Sequence, residues 1–416
     1  MDRRVYFVID MKSFFASVEC AERGLNPMTT NLVVADKERT EKALCLAVSP
    51  SLKKLGVKNR CRLFEIPKGI DYIIAKPRMK KYIEYNAKIY GIYLKYIDKK
   101  DIHVYSIDES IIDVTDYLKL YDIRAKAFAL KLIREIKETV NIPATCGIGT
   151  NMYLAKVALA ITAKKSNDGI GWLDENKFKK ELWFHRPLSD FWGFSRGIES
   201  HLARLGIYDM HGISKADSDM MYKEFGVNAE IIIDHSNGIE PVRMEDIKNY
   251  KRKSHSISQA QVLSRGYKYD EIKIVLKEMI NEGCNTLMKN HLVTNVISIH
   301  LGYDGEGLSH ASSKIGITTN LYSYIIEEAL KIFERIIDKN RLVKRIGFSF
   351  NALPDIYEQY DLFTDMESVE KQKKLMNSVI NLKERFGKNS VLKAIDFEEG
   401  ATQIERNKLI GGHNSE

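Results

Sequence analysis

The chain has few cysteines, and they fall in no useful pattern. Cys20, Cys45, Cys61, Cys146 and Cys284 are odd in number and widely scattered. No CxxC pair or Cys/His cluster is present, which argues against a structural zinc and for reduced thiols. Long apolar runs are missing as well. The start, MDRRVYFVIDMKSF, is too short in apolar residues for a signal peptide. No segment approaches the ~20 apolar residues of a membrane span. A cytoplasmic protein with no membrane role is the expectation. Charge of one sign is not extreme: the formal net charge is +8 and the pI about 8.9. Residues 251–352 carry net +5 and residues 353–416 net −3. A polyanionic partner fits the basic body, and the acidic end reads as a separate functional region.

What is present is a folded, multidomain chain. Its 416 residues, 44% hydrophobic and 29% charged, exceed a single core. RRVYFVID (3–10) reads as a buried strand and SFFASVECAER (13–23) as a helix with Phe14, Val18 and Ala21 on one face. LVVA (32–35) and KALCLAVS (42–49) read as strands, PSLKKLG (50–56) as a helical turn, and 78–97 as a long helix. Two strands follow over 103–115, then a helix (123–140), a strand (143–150) and a helix (151–166). Helices on one face of a mixed sheet would give this order. Residues 173–250 read as helical. A charged, flexible link (245–254) precedes a β-α-β-β-α-β module with strands at 256–264, 293–303, 314–320 and 342–353. After a helix over 367–386 the chain looks loose at its end.

The stretch HVYSIDESIIDVT (103–115) carries the chemistry. Asp108 and Glu109 interrupt an apolar strand, and burying adjacent carboxylates is costly without a cation. Neighbouring residues of a regular strand face opposite ways, so the two acids converge only where the strand bends. Asp10 ends the first strand. If the two strands lie side by side, three carboxylates meet at one sheet edge. Such a set suits Mg²⁺, and two ions there would clamp an in-line phosphoryl displacement. Taken singly, the better reading is an exposed turn for Asp108-Glu109 and a helix N-cap for Asp10; only the joint pattern favours the metal.

VIDMKSFFASVE paired with YSIDESIID resembles the signatures of the Y-family translesion DNA polymerases. SLKKLGVK, CGIGTNMYLAKVALAITAKK and DFWGFSRGIESHLARLGI continue the likeness over residues 3 to 353. It is nearer the UmuC-type branch of Gram-positive bacteria than the DinB type. The resemblance implies a multidomain α+β enzyme shaped like a right hand, with a mixed-sheet palm, small fingers, a helical thumb and a β-α-β-β-α-β little finger. Its palm would be 1–12 and 80–172, fingers 13–79, thumb 173–245, linker 246–253, little finger 254–352 and a clamp-binding tail 353–416.

The resemblance also implies residue roles. Asp10, Asp108, Glu109 and the Met11 carbonyl would hold two Mg²⁺ ions, with Mn²⁺ as a substitute. Phe15 would be the steric gate against a ribose 2′-hydroxyl, with Phe14 beside it. Lys53 would touch the incoming triphosphate. So would Lys164 or Lys165, whose spacing from LAK is one residue longer than in the DinB-type pattern. Where the family often has Tyr this chain has Pro50, and where it often has a second Asp it has Lys12. A helix-hairpin-helix with Gly193, Ser195, Arg196, Gly197 and Arg204 would grip DNA phosphates without reading sequence. Gln359-Tyr360-Asp361-Leu362-Phe363 resembles the pentapeptide by which bacterial polymerases dock on the β sliding clamp, with Tyr360 where Leu is usual.

The implied function is error-prone, template-directed DNA synthesis past damage, in DNA damage tolerance and SOS mutagenesis. Its partners would be primer-template DNA, a dNTP and the clamp. Parts of the branch also use RecA or a UmuD-like subunit. Two other readings are an inactive DNA-binding regulator on the same fold and a nucleotide cyclase with a similar palm. The intact acid trio weighs against the first; the second leaves the hairpin and pentapeptide without a role.

Overall fold

The computed structural model describes residues 4–36, 42–251 and 255–416. It divides into two compact units, residues 1–250 and 251–415. Part of the expected linker, and the first three residues, lie outside the described residues.

The first unit opens with β1 (Tyr6–Met11), α1 (Phe14–Ala21), β2 (Leu32–Val34), β3 (Ala47–Val48), α2 (Pro50–Lys54), β4 (Ile73–Ala75) and α3 (Met79–Leu94). It continues with β5 (Ile102–Val104), β6 (Glu109–Asp113), α4 (Thr115–Leu120), α5 (Ala125–Val140), β7 (Ala144–Gly149), α6 (Met152–Val157) and β8 (Ile170–Leu173). Then come α7 (Glu175–Leu182), α8 (Arg196–Arg204), α9 (Met210–Lys215), α10 (Ser218–Phe225), α11 (Asn228–Ser236) and α12 (Met244–Asn249).

Five strands form a mixed sheet in the order β5-β6-β1-β7-β8, parallel only between β7 and β8. The alternation of β1 decides its two faces. Phe7 and Ile9 pack with α3 and α5 in one core. Tyr6 and Val8 pack with Met152, Ala155 and Leu159 on the other side. Helices therefore cover both faces, not one as the order of elements implied. The reason lies in β7. A Cβ on Gly147 would stand 2.0 Å from the Ala155 carbonyl oxygen, and one on Gly149 2.2 Å from the Ala155 nitrogen. Only glycine lets α6 lie flush on the second face.

β3-β2-β4 form a separate small sheet. The strand expected over 42–49 shrinks to Ala47–Val48, with Leu44 making one bridge to Arg62. The expected flexible link begins instead as α12. Met244 is buried, and the Lys248 ammonium donates to the carbonyls of Lys99 (3.1 Å) and Ile102 (2.6 Å).

The second unit runs β9 (His255–Tyr267), α13 (Tyr269–Lys289), β10 (Leu292–Tyr303), β11 (Leu308–Thr319), α14 (Tyr322–Ile336) and β12 (Val343–Pro354). This is the expected β-α-β-β-α-β order. Its antiparallel sheet is ordered β11-β10-β12-β9. Ile297, Ile299, Leu301, Phe348 and Phe350 face the two helices. His300, His310, Ser312, Lys314 and Arg345 remain exposed.

The tail is more ordered than its sequence indicated. It adds α15 (Met366–Phe386), α16 (Gln403–Arg406), β13 (Leu409–Ile410) and β14 (His413–Asn414). Gly411 and Gly412 both have positive φ, as a tight two-residue hairpin requires. The anchor is Glu278 on α13, only 3% exposed. Its carboxylate accepts from the backbone of Thr402 (2.9 Å) and Gln403 (3.1 Å) and from the Thr402 hydroxyl (2.9 Å). Glu278→Ala would leave these donors without an acceptor, at about 1–3 kcal/mol. Hydrogen exchange should then show residues 394–410 losing protection while the five-stranded sheet keeps its own.

Among the described residues, no helix is long and apolar enough to cross a membrane.

Candidate active site

β1 and β6 are neighbours, and their register sets Asp10 directly opposite Glu109. Asp108 precedes β6. Its carbonyl accepts from the Met11 nitrogen at 2.9 Å, while the nitrogens of Tyr105 and Ser106 bond the Glu109 carbonyl at 3.0 and 3.1 Å. The chain thus turns tightly through 105–108, which is the bend the adjacent acids needed. The trio sits at strand ends in the middle of the sheet, not at its edge, because β1 is the central strand.

The electrostatics are those of an acid cluster short of positive charge. Burial, then the charges of Asp108 and Glu109, push Asp10 up to about 7, against the pull of Lys156 and Lys164. Burial also raises Glu109, although the Lys156 ammonium contacts both its oxygens. Ser106 donates to Asp108 at 2.6 Å and so orients it. Among the described residues no three acidic, histidine or cysteine side chains are gathered closely enough to hold an ion as they stand. The donor set still fits a hard divalent ion. Every side-chain donor is a carboxylate oxygen, and two of the three groups are destabilised as anions.

The expected nucleotide residues separate. Phe14 is 2% exposed and belongs to the core, so it backs the site instead of facing it. Phe15 is partly exposed and stacks on Tyr82, ring centroids 4.4 Å apart at 19°. Ser13, left-handed at φ 49°, makes the turn into α1, and the roughly 100° step between successive helix residues sends the two phenylalanines to different places. Beneath them Glu19 is fully buried. Burial would raise its pKa, but hydrogen bonds from Arg78 and Arg23 bring it below the usual carboxylate range. It also accepts from the Tyr82 hydroxyl at 3.0 Å, fixing the ring under Phe15.

Lys53 and Lys164 share the acid site's field. Surrounding protein lowers the Lys53 pKa, Asp10 opposes this and Lys164 adds to it. Lys164 is one of the two cations that act most strongly on Asp10. A π-helical turn, Ala158–Thr162, takes up the extra residue between Lys156 and the lysine pair.

The helix-hairpin-helix is reduced on its first arm. A single 3₁₀ turn (Leu188–Asp190) precedes Gly193 (φ +89°), and α8 follows with Ser195 as its N-cap. Gly197 lies inside the first turn of α8 instead of closing a loop. Gly193, Ser195, Arg196, Gly197 and Arg204 are all exposed.

In the second unit, Gln359 exchanges two backbone hydrogen bonds with Thr318 (2.8 and 2.9 Å). Tyr360 is half-buried, its hydroxyl 2.9 Å from Thr319. Asp361 accepts from the Phe363 nitrogen at 3.1 Å. Leu362 and Phe363 are 99% and 96% exposed.

Lys156, Tyr82 and Glu19 were not singled out from the sequence. The motif LAK held the first, but nothing marked that lysine as meeting Glu109.

A mixed palm-like sheet with acids on adjacent strand ends, followed along the chain by a separate β-α-β-β-α-β unit, is the make-up of a Y-family DNA polymerase. Residues 9–160 match the impB/mucB/samB family and residues 254–362 its C-terminal domain. The chain belongs to that family, the UmuC-type branch of these polymerases, and is a DNA-directed DNA polymerase of the translesion class. It is 31% identical to "Putative UV-damage repair protein UvrX" of Bacillus subtilis (strain 168), over 99% of this chain and 98% of that one. It is 30% identical to "DNA polymerase IV 2" of the same organism, over 99% of each. The fold matches a "Y-family DNA polymerase chimera Dbh-Dpo4(243-245)-Dbh" with a TM-score of 0.65 and 22% identity, over 83% of this chain and 98% of that one. Members of the family use divalent metal ions.

Proposed function

We propose that this chain extends a primer 3′-hydroxyl with dNTPs opposite damaged template, using Asp10, Asp108, Glu109 and the Met11 carbonyl to hold two Mg²⁺ ions. The observation that carries it is the register pairing of Asp10 with Glu109, with Asp108 on the adjoining turn. Bound there, the ions would supply Lewis-acid stabilisation of the attacking and leaving oxygens. The protein's own contribution is placement. Ser106 orients Asp108, Phe15 limits the sugar, and Lys53 with Lys164 offers cations to the triphosphate. Palm (1–12, 80–172), fingers (13–79) and thumb (173–245) would divide the first unit. The little finger (254–352) would meet duplex backbone with His300, His310, Lys314 and Arg345, and the thumb with Arg196 and Arg204. The test is primer extension with Mg²⁺ across a template pyrimidine dimer. Insertion opposite the lesion is expected, and failure on both damaged and undamaged templates would refute the reading.

The same reading includes docking on a sliding clamp through Gln359–Phe363. Two large apolar side chains exposed almost completely, on a loop pinned by Gln359 and Tyr360, are suited to a partner's pocket. Tyr360 stands where Leu is usual because it serves this unit's own packing, beside Tyr324. Leu362→Ala/Phe363→Ala should weaken clamp binding by about 2 kcal/mol or more, roughly 30-fold. Surface plasmon resonance would measure it, and unassisted synthesis should be unchanged.

A further inference from the structure

Lys156 is the feature of the site that the polymerase reading leaves without a role. It lies on α6, which Gly147 and Gly149 allow to sit directly on β7. That contact delivers its ammonium to both carboxylate oxygens of Glu109. The two side chains are 16% and 9% exposed, so neither has much water to fall back on. The ammonium also stands 5.0 Å from the centre of the Tyr105 ring, on the turn that carries Asp108. Its charge is felt at Asp10 as well. Among the described residues, Lys156 is the one cation hydrogen-bonded to a member of the acid trio.

We infer that Lys156 is a built-in counter-cation, a positioning residue that neutralises Glu109 in the metal-free protein and competes with metal for that carboxylate. This rests on the metal-site reading above. Two charges are being offered the same two oxygens. A divalent ion that takes Glu109 must displace the ammonium or sit beside it, and either raises the free energy of the bound state. The lysine thus gives the one buried carboxylate of the trio a counter-charge when no metal is there. It also makes metal loading depend on something that compensates for its charge, which the triphosphate of an incoming nucleotide is equipped to do.

The experiment measures Mn²⁺ binding to the full-length protein by electron paramagnetic resonance, without DNA or nucleotide. Lys156→Met and Lys156→Gln should bind Mn²⁺ about tenfold more tightly than wild type. That is the size of the repulsion between a unit charge and a divalent ion about 5 Å apart, even at the dielectric constant of water. Lys156→Arg, which keeps the charge, should bind like wild type. Wild-type or weaker affinity in both neutral variants would overturn the proposal. Asp108→Ala separates the two levels. If it binds Mn²⁺ as well as wild type, the metal-site reading itself fails. If it loses binding while the neutral variants match wild type, only the role of Lys156 falls.

Discussion

Asp108→Ala is expected to abolish primer extension, lowering the rate of nucleotide addition by about 10³-fold or more. Removing a single preorganised electrostatic donor typically costs about 10²–10³-fold in rate. A carboxylate that helps hold an ion touching both reacting oxygens should lie at or beyond that upper end. The fold should survive. Asp108 is partly exposed on a turn, and its side chain bonds only to Ser106 among the described residues. Removing it also relieves repulsion on Asp10, so the metal-free variant should be no less stable than wild type. Single-turnover extension measures the first effect and thermal melting in EDTA the second. Loss of extension with unchanged melting is the expected pair. Extension within tenfold of wild type would remove Asp108 from the chemistry.

The site was legible where its cause was local. Asp108 and Glu109 stand out because acids interrupt an apolar strand, and Asp10, one residue before the end of β1, stands out by the same pattern. The pentapeptide Gln359–Phe363 could be picked out from its residues alone, but the near-complete exposure of Leu362 and Phe363 could not. What stayed hidden depended on residues far apart in the chain. Lys156 is one of 64 Lys and Arg residues, and only the close packing of α6 on Gly147 and Gly149 gives it Glu109. Glu278 reads as an ordinary helical acid until Thr402, 124 residues on, closes over it.

The fold shows the same division. β11 begins at Leu308, six residues before the strand suggested by KIGITTN. Its first half, LSHASS, lies on an edge strand with half-buried serines and alanine facing inward. Such a strand leaves little apolar alternation to read. The two-sided cover of the large sheet was missed because periodicity says which face of a helix is apolar, not which face of the sheet it meets. The reduced hairpin before α8 has a similar origin. DFWGFSRG carries the glycines of the turn, but Phe191 and Phe194 are drawn into the core. The turn between them leaves no length for a first helix.

Phe15→Ala should raise ribonucleotide incorporation by roughly 100-fold while leaving incorporation of dNTPs within a few-fold of wild type. The ring is held, not free. It stacks on Tyr82, whose hydroxyl is fixed by the buried Glu19, which Arg78 and Arg23 neutralise. A ring that cannot retreat turns an extra hydroxyl into an overpacking clash of about 1–3 kcal/mol, and about 3 kcal/mol corresponds to roughly 100-fold. Truncation to alanine opens that space. Tyr82→Phe tests the support separately. It keeps the stack and loses only the bond to Glu19, so sugar selectivity should fall by much less than in Phe15→Ala. Competitive single-nucleotide insertion of an rNTP against the matching dNTP reads both ratios. An unchanged ratio in Phe15→Ala would mean that another side chain meets the sugar. An equal fall in both variants would mean that the anchored hydroxyl, more than the Phe15 ring itself, carries the exclusion.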